Sequence, residues 1–261
     1  MGSAAFFDLD KTVIATSSTL AFGRPFFHGG LINRRAILKA SYAQFVYLIA
    51  GADADQMDRM RDQITAMCAG WDVQQVNDIV AETLFDIVDP LIYDEAADLI
   101  EQHRAAGRDI VIVSSSGEEV VAPVGAMVGA DRVVATRMVV EGGKYTGEIA
   151  FYAYGENKAA AIRELSASHG YDLAESYAYS DSVTDLPMLE VVGHATAVNP
   201  DRALRRAAVE RGWPVLHFDR AVSVRSRLVN ARQSGPAVAG TAVGIGAAAG
   251  LAWYARRRLR G

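Results

Sequence analysis

Ala4-Ala5-Phe6-Phe7 is a short apolar run that ends in Asp8-Leu9-Asp10, the pattern of a buried strand delivering carboxylates at its C-terminal end. From about residue 18 to 106 the apolar positions recur mostly at helical spacing. The stretch 37–50 within this block is apolar but broken by Lys39 and Gln44, and it is too short to cross a bilayer. It reads as a core or cap helix. Residues 93–108 form an amphipathic pattern with Ala97, Leu99 and Ile100 on the apolar side and Gly107 as the stop.

Ile110-Val111-Ile112-Val113 is β-branched and wholly apolar, the composition of a central parallel strand. Further strands are expected at 133–135, 177–179, 195–198 and 215–218, and a hairpin over 138–151 that turns at Glu141-Gly142-Gly143. Helices are expected at 157–169, 185–192 and 202–211. Strands that alternate with helices from residue 109 onward predict an α/β layer with a Rossmann-like parallel sheet. The first strand must join that sheet, so the helical block is an insertion after strand one. The expected boundaries are a core of residues 1–17 and 107–220 and a helical cap of 18–106. In open α/β sheets ligands sit at the carboxyl ends of the strands. Asp8, Asp10, Ser114 and Asp181 all fall there.

Composition narrows the classes of function. One cysteine, Cys68, forbids an intramolecular disulfide and any multi-cysteine zinc or iron–sulfur site. The chain carries a net charge of −5, unevenly spread: residues 219–261 hold +7 and residues 1–218 hold −12. An acidic body does not suit nucleic acid, whose phosphates call for clustered Lys and Arg. The first residues lack the basic and long apolar regions of a secretory signal, so the body is expected in the cytoplasm.

Asp8-Leu9-Asp10-Lys11-Thr12 sets two carboxylates two residues apart at a strand end, and Ser180-Asp181-Ser182-Val183-Thr184-Asp185 sets two more on a later strand-to-helix turn. Oxygen-rich clusters of this kind suit Mg²⁺, which takes one or two carboxylates and keeps waters for a phosphate. A carboxylate can also be a covalent nucleophile. Together with Val113-Ser114-Ser115-Ser116 and with Lys158 in Gly155-Glu156-Asn157-Lys158, these segments form four motifs in order. The chain thereby resembles the haloacid dehalogenase superfamily of phosphohydrolases, in the branch that contains phosphoserine phosphatases, over residues 4–218.

The resemblance implies a role for each motif. Asp8 would attack phosphorus to give an aspartyl-phosphate. Asp10 would protonate the leaving alcohol and then take a proton from the hydrolytic water. An acid at this second position marks the family's phosphatases rather than its ATPases. Ser114 would hold a phosphoryl oxygen, and Lys158 would neutralise charge on Asp8 and the phosphoryl group. Mg²⁺ would be held by Asp8, the backbone carbonyl of Asp10, and Asp181, with Asp185 in support. Thr12 would order the first motif's loop through a hydrogen bond. Ser115 and Ser116 read as turn formers, and none of the five histidines pairs by metal-ligand spacing.

Phosphoserine phosphatases carry a Glu nine residues after the nucleophile to hold the substrate's amino group, and here that place is Ser17. Losing such a charge-assisted contact costs about 1.5–3 kcal/mol, so phosphoserine is disfavoured. Phe22, Arg24, Phe26 and Phe27, with Arg34, Arg35 and Lys39, would suit a lipid-like phosphate monoester if they line the cap, and are otherwise cap core and solvated cations. Residues 237–255 carry no charge, reach about 28 Å as a helix, and precede Arg256-Arg257-Arg258-Leu259-Arg260. With a linker at 221–236, they are expected to tether the catalytic domain to the membrane, the basic tail being 256–261. Two rival readings stand beside the phosphatase: a receiver-like phospho-acceptor module, which has no large insertion after its first strand, and a catalytically idle membrane-tethered scaffold.

Overall fold

The computed structural model describes residues 2–32 and 65–221. Strand β1 (Ala4–Phe7) is followed, beyond the insertion, by β2 (Asp109–Gly117), β3 (Arg132–Glu141), β4 (Lys144–Phe151), β5 (Tyr177–Ser180), β6 (His194–Val198) and β7 (Val215–Leu216). They form one seven-stranded sheet in the order β4-β3-β2-β1-β5-β6-β7, parallel except for the β3/β4 hairpin. The α/β architecture expected from the sequence is the one observed.

The sheet is covered on both faces, which is why its central strands are apolar without alternation. Ala5 and Phe7 of β1 point into one buried cluster, with Leu84, Val88, Ile100 and Ile112. Ala4 and Phe6 point into the other, with Val111, Ile162, Met188 and Leu204. Helices Asp94–Ala105, Glu118–Val128, Glu156–His169 and Arg202–Arg211 supply much of that cover.

Three details differ from the periodicity reading. β3 is a single ten-residue strand that joins the parallel sheet at one end and the hairpin at the other, where two separate segments were expected. The helix Glu118–Val128 has no clean signature because Pro123 and Gly125 lie inside it. Packing overrides propensity there: a Cβ on Gly125 would come within 2.6 Å of Val133. The last strand is two residues, not four.

The insertion leaves and re-enters the core at one place. Ile14 bridges Ile92, Tyr93 donates its N–H to the Val13 carbonyl at 3.0 Å, and Ala15 donates to Leu91 at 2.8 Å. At this pairing the chain leaves the core after β1 and meets it again before the helix Asp94–Ala105. The helix Asp94–Ala105 belongs with the sheet, since Ala96 and Ile100 are buried in the cluster that holds Phe7. Beside this hinge, Tyr93 bridges Ala221 and Asp94 donates to the Arg220 carbonyl at 2.7 Å, so the C-terminal strap is tied to the same corner. The linker beyond Ala221 and the apolar segment 237–255 lie outside the described residues. Among the described residues no helix is long and apolar enough to cross a membrane.

His103 is buried at the edge of this core against Phe7 and Tyr177. Arg108 can only donate, so its contact to Nδ1 at 3.4 Å makes that nitrogen the acceptor and leaves Nε2–H to donate to Tyr179 Oη at 2.7 Å. Burial, aided by the Arg108 charge, pulls the imidazole down to about 4. A histidine depressed in the fold takes up its proton more readily when unfolded, so stability is full above about pH 6.5 and falls as pH drops toward 4. His103→Gln removes that titration. Between about pH 7.5 and pH 5 it is expected to recover on the order of 1 kcal/mol of the acid loss, read as urea midpoints at the two pH values.

Candidate active site

Strand register brings the motifs to one edge. Phe7 of β1 pairs with Ile112 on one side and Tyr179 on the other. The residues that follow, Asp8, Ser114 and Asp181, therefore leave the sheet side by side at its carboxyl end. Asp8 is fixed as it leaves, because its N–H donates to the Tyr179 carbonyl at 2.9 Å.

Lys158 arrives from a different direction. Gly155 precedes the helix Glu156–His169 with φ 54° and ψ −126°, a conformation reserved for glycine, and the turn delivers Lys158 in the first helical turn. The Lys158 ammonium donates to Asp8 Oδ1 and to Asp185 Oδ2, both at 2.8 Å, and all three residues are buried. Ser180 Oγ donates to the same Asp185 oxygen at 2.7 Å. Burial alone would lower the lysine, but the two carboxylates more than reverse this and hold it above its ordinary value. Lys158 is thus a permanent cation.

Asp181 sits on the turn after β5. Its carbonyl accepts from Asp201 N–H at 2.8 Å, and Asp201 in turn accepts from Val183 and Leu204 N–H, which locks the turn to the helix Arg202–Arg211. Burial raises the Asp181 carboxyl to about 6 against the pull of Lys11, whose φ of 59° places it in the left-handed region. Burial also raises Asp8, opposed by Lys158 and reinforced by Asp185, Asp181 and Asp10.

Asp10 is held on both oxygens. Ser18 N–H donates to Oδ1 at 2.9 Å, and Ser116 Oγ lies 3.4 Å from Oδ2. Burial raises its carboxyl, and the Ser18 and Ser17 hydrogen bonds pull the other way. Ser116, read from the sequence as a turn former, joins the site through these hydrogen bonds. A strand's two-residue period was the available signal: Ser114 and Ser116 are both buried while Ser115 is exposed. Ser116 N–H donates to Ser114 Oγ at 3.2 Å. Thr12 corrects the expectation in the other direction. It is buried, but its hydroxyl has no hydrogen-bond partner among the described residues, so it does not order the loop in that way. The loop is closed instead by Val13 and Ile14 N–H donating to the Leu9 carbonyl.

Among the described residues, Asp8, Asp10, Asp181 and Asp185 outnumber Lys158 and Lys11, the cations that act on them most, and this surplus of negative charge fits a hard divalent ion. Among the described residues no three His, Cys, Asp or Glu side chains form a metal-binding group on their own. Such a set suits an ion that takes one or two carboxylates and completes its shell with water.

Of the aromatic residues beyond the first motif, Phe22 and Phe26 pack on the core, while Phe27 is half-buried beside His28. Phe22 is fully buried in the cluster of Phe7, and Phe26 lies between Phe22 and Trp71. Arg24 lines a cavity of about 510 Å³ with His28, Ile79, Glu82 and Thr83, between the helices Gly23–His28 and Val73–Val88. Arg34, Arg35 and Lys39 lie outside the described residues.

Breaking a buried pair strands the other charge, so Lys158→Met with divalent cations chelated is expected to lower the unfolding free energy by about 3–5 kcal/mol. Asp8→Asn removes one of the repelling carboxylates and is expected to leave stability unchanged or raised. Urea denaturation of the two variants beside wild type measures both signs.

Residues 5–190 match the family model of the haloacid dehalogenase-like hydrolases. The chain is 64% identical to the inhibition of morphological differentiation protein of Streptomyces azureus, over 98% of this chain and 94% of that one. It is 65% identical to a Mycobacterium tuberculosis protein named "Probable phosphatase", over 98% and 89%. It is also 32% identical, over 83% and 71%, to a phosphoserine phosphatase of the same species. Among solved structures it is similar to a Bordetella pertussis protein of unknown function, with a TM-score of 0.72, 27% identity, and coverage of 83% of this chain and 98% of that one.

Proposed function

Since the chain belongs to the haloacid dehalogenase-like hydrolase family and is a phosphatase of it, we propose that it hydrolyses small phosphate monoesters through a covalent phosphoryl–Asp8 intermediate. The observation that carries this reading is the buried Lys158 ammonium shared by Asp8 and Asp185 at the carboxyl end of the sheet.

Lys158 holds Asp8 Oδ1, which assigns attack on phosphorus to Oδ2. As the Oδ2–phosphorus bond forms, the ester oxygen–phosphorus bond breaks, and Asp10 gives its proton to the departing alkoxide. Asp10, now a carboxylate, takes a proton from water, and the hydroxide formed attacks phosphorus and frees Asp8. Ser114 binds a phosphoryl oxygen, and Lys158 offsets the charge that gathers on Asp8 and the phosphoryl group. Asp8, the carbonyl of Asp10, and Asp181 would hold Mg²⁺, which when bound supplies further charge neutralisation at the phosphoryl oxygens.

Phosphoserine is not the substrate in this reading, because Ser17 stands where a carboxylate would grip the ammonium. Phe22 is fully buried and Phe26 packs partly buried against the core, which weakens the support for a lipid-like ester. Asp8 on the first strand, followed at once by a large insertion, favours the hydrolase over a receiver-like module. Four crowded carboxylates around one lysine favour it over an idle scaffold.

Phosphate release from p-nitrophenyl phosphate and a panel of natural monoesters tests the proposal. Release is expected with Mg²⁺, is abolished by EDTA, and falls at least about a thousand-fold in Asp8→Asn. On the panel, phosphoserine is expected to rank at least about ten-fold below the best ester in kcat/KM. Hydrolysis that persists undiminished in Asp8→Asn would refute the covalent route.

A further inference from the structure

Ser18 begins the insertion and Ser116 sits near the end of β2, ninety-eight positions away in sequence, yet Ser18 Oγ donates to Ser116 Oγ at 2.7 Å with both residues buried. Ser116 Oγ in turn reaches Asp10 Oδ2 at 3.4 Å, while the Ser18 N–H holds Oδ1 at 2.9 Å. The carboxyl is thus gripped from both sides by one serine's amide and a chain of two hydroxyls. We propose that Ser116 and Ser18 are positioning residues that fix the Asp10 carboxyl for proton transfer to the leaving oxygen; this rests on the acid/base role given to Asp10 above.

Hydroxyl chemistry is what the position requires. A hydroxyl both donates and accepts, whereas a backbone N–H or an ammonium only donates. With Asp10 ionised, the chain runs from Ser18 through Ser116 to Oδ2. Once Oδ2 carries the proton, its O–H can point to the leaving oxygen while the remaining Oδ2 lone pair still accepts from Ser116 and Oδ1 from the Ser18 N–H. The carboxyl therefore keeps one orientation in each of the two protonation states that it must adopt during a catalytic cycle. An apolar side chain at either serine leaves a buried carboxyl oxygen less well held. The N–H of Ser116 on Ser114 Oγ ties this chain to the residue assigned to the phosphoryl oxygen, so acid and substrate are aligned through one short stretch of β2.

The test compares two esters of the same ring, phenyl phosphate and p-nitrophenyl phosphate. Phenolate is a poor leaving group that needs a proton, whereas p-nitrophenolate departs readily without one, and both esters make the same demands on folding and phosphate binding. In Ser116→Ala and in Ser18→Ala, kcat/KM for phenyl phosphate is expected to fall about ten-fold more than for p-nitrophenyl phosphate, a fraction of the full effect of a general acid. Ser116→Thr, which restores the hydroxyl, is expected to return the ratio to that of wild type. Each alanine variant deletes a single oxygen, and either one alone carries the test if the other folds poorly. Equal losses on the two esters, or no loss in either alanine variant, would overturn the positioning role. Asp10→Asn is the control: it is expected to show the same selectivity, enlarged. Its failure to do so would remove the acid/base assignment itself, an outcome separate from a failure confined to the serines.

Discussion

Everything at the carboxyl end of the sheet depends on one buried ammonium. Asp8 leaves β1 in a place where a carboxylate loses its hydration, and three other carboxylates act on it. Without an opposite charge at contact distance that arrangement would be neutralised by proton uptake. Lys158 supplies the charge, but it comes from a helix far along the chain, set in place by the backbone turn at Gly155. The site therefore exists only when β1, the turn after β5 and the Lys158 helix have all docked. It is a tertiary object, assembled from local motifs that are unremarkable alone.

Much of this was legible in the sequence. Apolar runs that end in Asp or Ser announced strands with chemistry at their carboxyl ends, where Asp8, Asp10, Ser114 and Asp181 lie, whereas Lys158 and Asp185 were expected from the family motifs. The parallel order followed from strands alternating with helices. What periodicity missed has local physical causes. Pro123 and Gly125 conceal a helix that packs so close to Val133 that no side chain fits at position 125. β3 hides its length because one half is buried and the other exposed, so no single pattern runs through it.

Side-chain detail was less legible, since hydrogen bonds between distant residues leave no local trace. Ser116 looked like a turn residue until β2 carried it to the same buried side as Ser114. Thr12 looked like a turn-stabilising hydroxyl, and its burial without a partner among the described residues shows that proximity in sequence to a carboxylate does not choose a hydrogen bond. Aromatic residues after the first motif carried no information on substrate, because large rings serve a core as readily as a cleft. Phe22 belongs to the core.

The pairing of Ile14 with Ile92 has an evolutionary consequence. Because the insertion departs and returns across a single rung, the sheet experiences it as one loop whose ends are already clamped. Closing such a loop costs free energy that grows only with the logarithm of its length, about 0.6 kcal/mol per doubling for a flexible chain. Apart from Ser18 at its start and the helix Val73–Val88 that packs under β1, material between the two clamped residues can be lengthened, trimmed or exchanged while the β1 register and the lysine bridge stay as they are. Ligand preference and bond-breaking chemistry can then drift at different speeds within one gene, the first rewritten in the excursion while the second is inherited intact.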